Sequence, residues 1–329
     1  MGIVTFTERH RMDATANRRA VVLAAIVLTA CGSGGCVVHG LSTADRLKYG
    51  LVIVLPGIEG PSKYNVDIAQ GLYDGGVPCA IEIYDWGTGN PLVNLVAFER
   101  NRQQARRIAD RVVTYRRDYV GRPVHLIGHS GGGGLAVLAL EALPPGTRVT
   151  SAVLLAAAVS PDHDLTRALN RTDMGIWNFY SRSDIGYLRL GTGVFGTIDR
   201  KRTSAAGAVG FKRPGPGIRK AAIRAYEKLH SVAYKDVMAS SGHGGGHTGW
   251  ADQQFVAEWL APVILAASDG RAGYVLPLDD RLSAEIARAR ATTRSTSRST
   301  VPTTLAAPQP TSQPGGQSSR LPGTAASGS

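Results

Sequence analysis

The residues that could do covalent chemistry fall in three short stretches. "VHLIGHSGGGGL", Val124 to Leu135, sets Ser130 between His129 and four consecutive glycines, directly after an apolar β-type run. "SSGHGGGHTGW" supplies His243 and His247 late in the chain, and "NFYSRSD" ends on Asp184. A serine hydroxyl is a weak nucleophile alone. It needs a base to take its proton and a carboxylate to orient that base. Gly128-His129-Ser130-Gly131-Gly132 satisfies G-x-S-x-G. This spacing lets a serine occupy a strained strand-to-helix turn, because residues two before and two after it would collide if they carried Cβ atoms. A helix starting behind the serine aims its first N–H groups, Gly131's above all, at the place where an oxyanion would form.

Other chemistries fit these residues less well. His243-x3-His247 is a metal-ligand spacing on a helix, but the glycines between and before the two histidines oppose a helix, and no Glu follows the first as in H-E-x-x-H. No metal is expected. A phosphate loop would need G-K-[ST] after the glycines or G-x-G-x-x-G at the turn, and neither is present. His125 lies inside an apolar run and reads as a hydrogen-bonded core histidine. His129 is expected to pack under the site, and Glu59 and Asp85-Trp86 to line its mouth. Asp162 and Asp164 rival Asp184 as the acid, though "SPDHDLTRAL" also reads as helix capping by either.

The elements that must position these residues alternate. Buried strands are expected over 50–60, 79–87, 124–130, 150–160, 175–184 and 228–234, with helices over 65–73, 96–119, 131–142 and 253–267 between or after them. The long 96–119 helix carries Phe98, Ile108, Val112 and Tyr115 on one side among many arginines, the pattern of a solvated surface helix. Such alternation predicts an α/β fold, a mostly parallel central sheet of about six strands with helices on both faces. Ligands of such sheets sit beyond the carboxyl ends of the strands. Gly57 to Gly60, Ser130, Asp162 and Asp164, Asp184, and the two histidines all fall at those ends. The stretch between the fourth and fifth strands is short, so an uncovered site is expected unless residues 192–217 cover it.

The elbow in this strand-to-helix setting resembles that of the α/β-hydrolase superfamily, and the resemblance spans roughly Gly50 to Ala267. It implies a serine hydrolase that cleaves a carboxylic ester or related acyl bond through an acyl-enzyme, without a cofactor. The site it implies has Ser130 as nucleophile, Asp184 as acid, and His247 as base with His243 as the alternative. The backbone N–H groups of Ile58 and Gly131 would form the oxyanion hole. The partner is then a small-molecule acyl ester. Acyl transfer on the same fold, or a non-catalytic binding or scaffold role, are the competing readings.

The two ends differ from this body. Arg18 and Arg19 precede an apolar run of signal-peptide length that ends in Leu28-Thr29-Ala30-Cys31. That string resembles the lipobox of bacterial lipoproteins. The resemblance implies a signal peptide over 1–30, lipidation of Cys31, a linker over 31–46 and membrane attachment in a bacterial cell envelope, with Gly32 favouring the outer membrane. The hydrolase-like domain is expected over 47–290. From 291 to 329 the chain collapses into Thr, Ser, Pro, Gly and Ala, too poor in large apolar groups to offset the entropy of ordering. Cys36 and Cys79 remain, and export would permit them to pair. The formal charge of +12 sits largely at the ends, leaving a mildly basic body. That is no footprint for nucleic acid.

Overall fold

The computed structural model describes residues 40–184, 197–201, 203–213, 215, 220–271 and 276. All belong to one unit of the chain, Met1–Leu278, while the second, Asp279–Ser329, lies outside them. The expected signal peptide, Cys31, Cys36 and the 291–329 tail also lie outside the described residues.

Six strands form one all-parallel sheet in the order β2-β1-β3-β4-β5-β6. They are β1 Leu51–Leu55, β2 Ala80–Ile83, β3 Val124–His129, β4 Val149–Leu155, β5 Thr172–Tyr180 and β6 Leu229–Ala233. β1, β3 and β4 are buried along their whole length, whereas the edge strands β2 and β6 are only partly buried. Continuous apolar runs suit strands covered on both faces. Alternation along β1 divides its side chains, with Leu51, Ile53 and Leu55 in one core and Val52 and Val54 in the other.

The helices are α1 Ala44–Leu47, α2 Lys63–Asp74, α3 Pro91–Val96, α4 Phe98–Asp118, α5 Gly131–Ala142, α6 Thr166–Leu169, α7 Ala206–Val209, α8 Lys220–Tyr226, α9 Gln253–Phe255 and α10 Ala261–Ser268. A π-helical turn over Val256–Leu260 joins the last two. On the first face α4 contributes Ile108, Val112 and Tyr115, and α5 contributes Leu135 and Leu140. On the second, α2 contributes Ile68 and Leu72, and the closing helices Phe255, Trp259 and Val263. This is the predicted architecture.

Two features depart from the expected boundaries. The folded part reaches back before residue 47: Leu41 is buried, its carbonyl accepts from the Ile81 N–H at 2.9 Å, and the Arg46 guanidinium donates to the carbonyls of Val77 and Cys79. The stretch after β5, whose sequence has no periodicity, enters the core. Ile198, Ala205, Ala206 and Ala208 are buried, and the N–H groups of Ile198, Ala206 and Gly207 donate to the carbonyls of Ala158, Val159 and Ala157 beyond β4. A segment bonded through its N–H groups to the loop beyond a strand needs small side chains and free N–H groups more than a hydrophobic period. Residues 192–196, on which part of any cover would fall, lie outside the described residues. Cys79 is a buried free thiol, its pKa pushed up to about 11 by burial.

Candidate active site

Strand register sets the site. Leu55 lies opposite Gly128, His129 opposite Leu155, and Leu155 opposite Phe179. The residues that follow β1, β3, β4 and β5 therefore emerge together at one edge of the sheet.

At the end of β3, Ser130 has φ 54° and ψ −118°, and it is the N-cap of α5. A non-glycine residue held at positive φ is a strained conformation that its surroundings must enforce. The enforcement is visible. The Ser130 N–H donates to the Leu155 carbonyl at 2.9 Å, while its own carbonyl accepts from the N–H groups of Gly133 and Ala158. Cβ atoms on Gly128 or Gly132 would run into backbone, the first into Gly132 itself and the second into the carbonyls of Leu55 and Pro56.

The loop after β1 lies against this turn. A Cβ on Gly131 would stand 3.2 Å from the Ile58 N and 2.6 Å from Ile58 Cγ2. The start of α5 thus lies close against Ile58, with too little room for a side chain on Gly131. Two braces fix that loop. The Trp86 indole N–H donates to the Pro56 carbonyl, and the Asn94 amide donates to the Ile58 carbonyl, both at 2.8 Å. Asn94 sits on α3, a helix absent from the sequence reading although Asn90-Pro91 is a helix-start signal. The Asn90 side chain caps it by accepting from the N–H groups of Leu92 and Val93.

The late loop brings in the histidines, which have different surroundings. His247 is buried, and its Nδ1 lies 2.8 Å from Asp184 Oδ2, in the 3-10 turn Arg182–Asp184 that follows β5. His129 ties this loop to the elbow: its Nε2 is 3.2 Å from the His247 carbonyl and its ring centroid 5.0 Å from that of His247. Burial, then the proximity of His247, lowers the His129 pKa to about 3. A neutral His129 with its proton on Nε2 donates to that carbonyl and positions the loop. The Ser181 hydroxyl adds a bond to the Gly245 carbonyl at 2.7 Å.

His243 lies in an aromatic box. Its ring meets Trp250 edge-on at 3.9 Å, Tyr234 at 4.8 Å and Phe255 at 4.9 Å, and its Nδ1 accepts from the Gly245 N–H at 2.9 Å. Burial lowers its pKa to about 4. Trp250, three residues after His247 in the chain, thus meets His243. The rival acids are engaged elsewhere: Asp162 pairs with Lys212, and Asp164 accepts from the N–H and hydroxyl of Thr166 in a local turn ahead of α6, whose N-cap Leu165 makes no side-chain cap bond, so the expected helix capping by Asp162 or Asp164 is not what holds them. His125 is a core histidine with Ser151 and Ser268 hydroxyls on its two nitrogens. Among the described residues no group of three or more His, Cys, Asp or Glu side chains could hold a metal ion.

The described strands run in the order β2-β1-β3-β4-β5-β6, with the serine turn directly after β3. The fold is an α/β fold, a six-stranded all-parallel sheet with helices packed on both faces. No profile of a known protein family matches the chain, and no curated protein matches it. Solved structures do resemble it. A poly(3-hydroxybutyrate) depolymerase of Bordetella parapertussis is 18% identical over 76% of this chain and 85% of its own, with a TM-score of 0.40. Carboxyl esterase 2 of Tuber melanosporum is 12% identical over 69% and 79%, with a TM-score of 0.36. A cutinase-like protein of a Cryptococcus species is 12% identical over 69% and 97%, with a TM-score of 0.32.

Proposed function

We propose that the chain is a serine hydrolase that cleaves a carboxylic ester or related acyl bond. The observation that carries this reading is the strained Ser130 at the N-terminus of α5, joined through His129 to a loop whose His247 holds Asp184. In this reading the Ser130 Oγ attacks the acyl carbon and its proton passes to His247 Nε2. The N–H groups of Gly131 and Ile58 stabilise the oxyanion, and Asp184 keeps the imidazole proton on Nδ1. The proton on Nε2 then goes to the departing alcohol. Water repeats the sequence on the acyl-enzyme and releases the acid. His247 is favoured over His243 because the Nδ1 of His243 already accepts a backbone N–H within an aromatic box.

A fluorophosphonate probe tests the nucleophile. Wild type should label and Ser130→Ala should not; equal labelling, or none, removes Ser130 from this role. The envelope anchor is a separate proposal resting on "LTAC" alone. Palmitate incorporation that is lost in Cys31→Ser would support it, and incorporation unchanged by that substitution would refute it.

A further inference from the structure

Ser130 and its neighbours gather where the strands end. The opposite edge of the sheet, where the strands begin, carries a row of bases. Lys48 stands just ahead of β1, Arg122 ahead of β3, Arg148 directly before β4, Arg171 before β5 and Lys228 before β6. Ahead of β2 the Arg46 guanidinium takes that place, donating to the carbonyls of Val77 and Cys79. Because all six strands are parallel, these positions share one edge. Individual contacts join them. The Lys228 ammonium donates to the carbonyls of Leu169 and Thr172, and the charges of Arg148 and Asp173 act on it. Lys48 is close enough to Tyr49 and Tyr119 for their phenols to act on its charge. The Leu51 N–H donates to the Pro123 carbonyl, which sets Tyr49 beside the turn that runs from Tyr119 to Arg122.

Acids at this edge do not cancel the row. Asp45 pairs with Lys48 at 2.7 Å, Asp118 with Arg117 at 2.9 Å, and Asp173 lies 3.6 Å from Arg116 and 3.7 Å from Arg148. Glu227 is exposed beside Lys228. Bases still outnumber these acids, and ion pairs open to water hold each other weakly. The same edge exposes apolar groups. Val120, in the turn where the Arg122 N–H donates to the Tyr119 carbonyl, is 83% exposed, more than any other large apolar side chain among the described residues. Tyr49 is exposed, and so is Tyr73, whose ring centroid lies 5.1 Å from the Arg46 guanidinium. Tyrosine rings among lysines and arginines suit the headgroup layer of a membrane, where negative lipids attract the bases and the rings leave water. A soluble polyanion would use the bases and leave Val120 in water.

We propose that this edge of the sheet docks on a phospholipid surface with negatively charged headgroups, Tyr49 and Val120 entering the headgroup layer and the Ser130 end facing away. The contact extends the anchor reading but rests on these side chains rather than on Cys31. Nine residues separate Cys31 from Gly40. Their reach of at most about 30 Å is enough for a lipidated Cys31 and a docked edge to coexist.

The test reads which end of the sheet meets lipid. All four tryptophans are buried, so a tryptophan placed on the surface reports its own surroundings. The full chain with Val120→Trp, or with Leu92→Trp on the exposed side of α3 at the other end, is mixed with vesicles of phosphatidylglycerol or phosphatidylcholine brominated in their acyl chains. Bromine quenches an indole that it touches. With phosphatidylglycerol, Val120→Trp should lose most of its added emission and Leu92→Trp little; phosphatidylcholine should quench neither. Adding Arg122→Gln and Arg148→Gln to Val120→Trp should weaken the contact about thirtyfold and restore the emission. Salt at 1 M should do the same with the bases intact, so the reading does not hang on that variant's folding. Equal quenching at both positions, quenching at position 92 alone, or none by phosphatidylglycerol, whatever other polyanion the protein binds, overturns the proposal. So does quenching at position 120 that survives both charge replacement and salt. Salt-sensitive quenching at position 120 in a protein that takes no palmitate at Cys31 leaves the docking edge standing and removes the anchor. Palmitate incorporation with no quenching at position 120 does the reverse.

Discussion

His247 Nδ1 stands 2.8 Å from Asp184 Oδ2, both side chains buried at the sheet edge where β3 and β5 end. A carboxylate in that position holds the imidazole proton on Nδ1 and leaves Nε2 free to accept another. Asp184→Asn preserves the size of the group but not this preference. It should lower kcat on a short nitrophenyl ester by about three to four orders of magnitude with little change in KM. A loss below tenfold would exclude Asp184 from the reaction.

The two histidines should separate cleanly. His247→Ala is expected to cost several kcal/mol of transition-state stabilisation, about 10³-fold or more in kcat/KM. His243→Ala instead empties the box formed with Trp250, Tyr234 and Phe255. It should destabilise the fold by about 2–4 kcal/mol in urea unfolding, with the surviving folded protein still active. The reverse pattern would make His243 the base.

Asn94 tests the brace on the Ile58 loop. Asn94→Leu removes the donor to the Ile58 carbonyl. A small displacement of a stabilising N–H is felt mainly in the transition state, so kcat should fall about ten- to a hundredfold with KM nearly constant. An unchanged kcat would show that the loop holds its geometry without α3.

A second charged cluster predicts a pH dependence of stability. His163 places Nε2 2.7 Å from Glu141 Oε1 and Nδ1 3.2 Å from Asp199 Oδ2, clamping the segment after β5 to α5. Burial opposes the charge on His163, but the hydrogen bonds and charges of Asp199 and Glu141 outweigh it and raise the pKa to about 9. A histidine pKa raised on folding contributes stability that is complete below its unfolded value of about 6.5 and is lost as pH rises through about 9. The expected loss between pH 6 and pH 10 is on the order of 2 kcal/mol. Urea midpoints should show that fall in wild type and much less of it in His163→Gln. Parallel curves for the two proteins would refute the assignment.

The sequence alone determined what depends on neighbours in the chain. β-branched and apolar runs marked the buried strands, alternation with helices implied parallel pairing, and the steric spacing of Gly128 and Gly132 identified the turn that carries Ser130. Tertiary structure decided everything that required distant segments to meet. His243 and His247 share one glycine-rich loop, and nothing in that loop says which ring will face the end of β5 and which will be enclosed by Trp250, Tyr234 and Phe255. The Asn94 brace and the His163 clamp are likewise contacts that the packed chain creates. Local sterics and periodicity act within a few residues, whereas the partner of a buried charge or imidazole is set by which surfaces the whole core brings together.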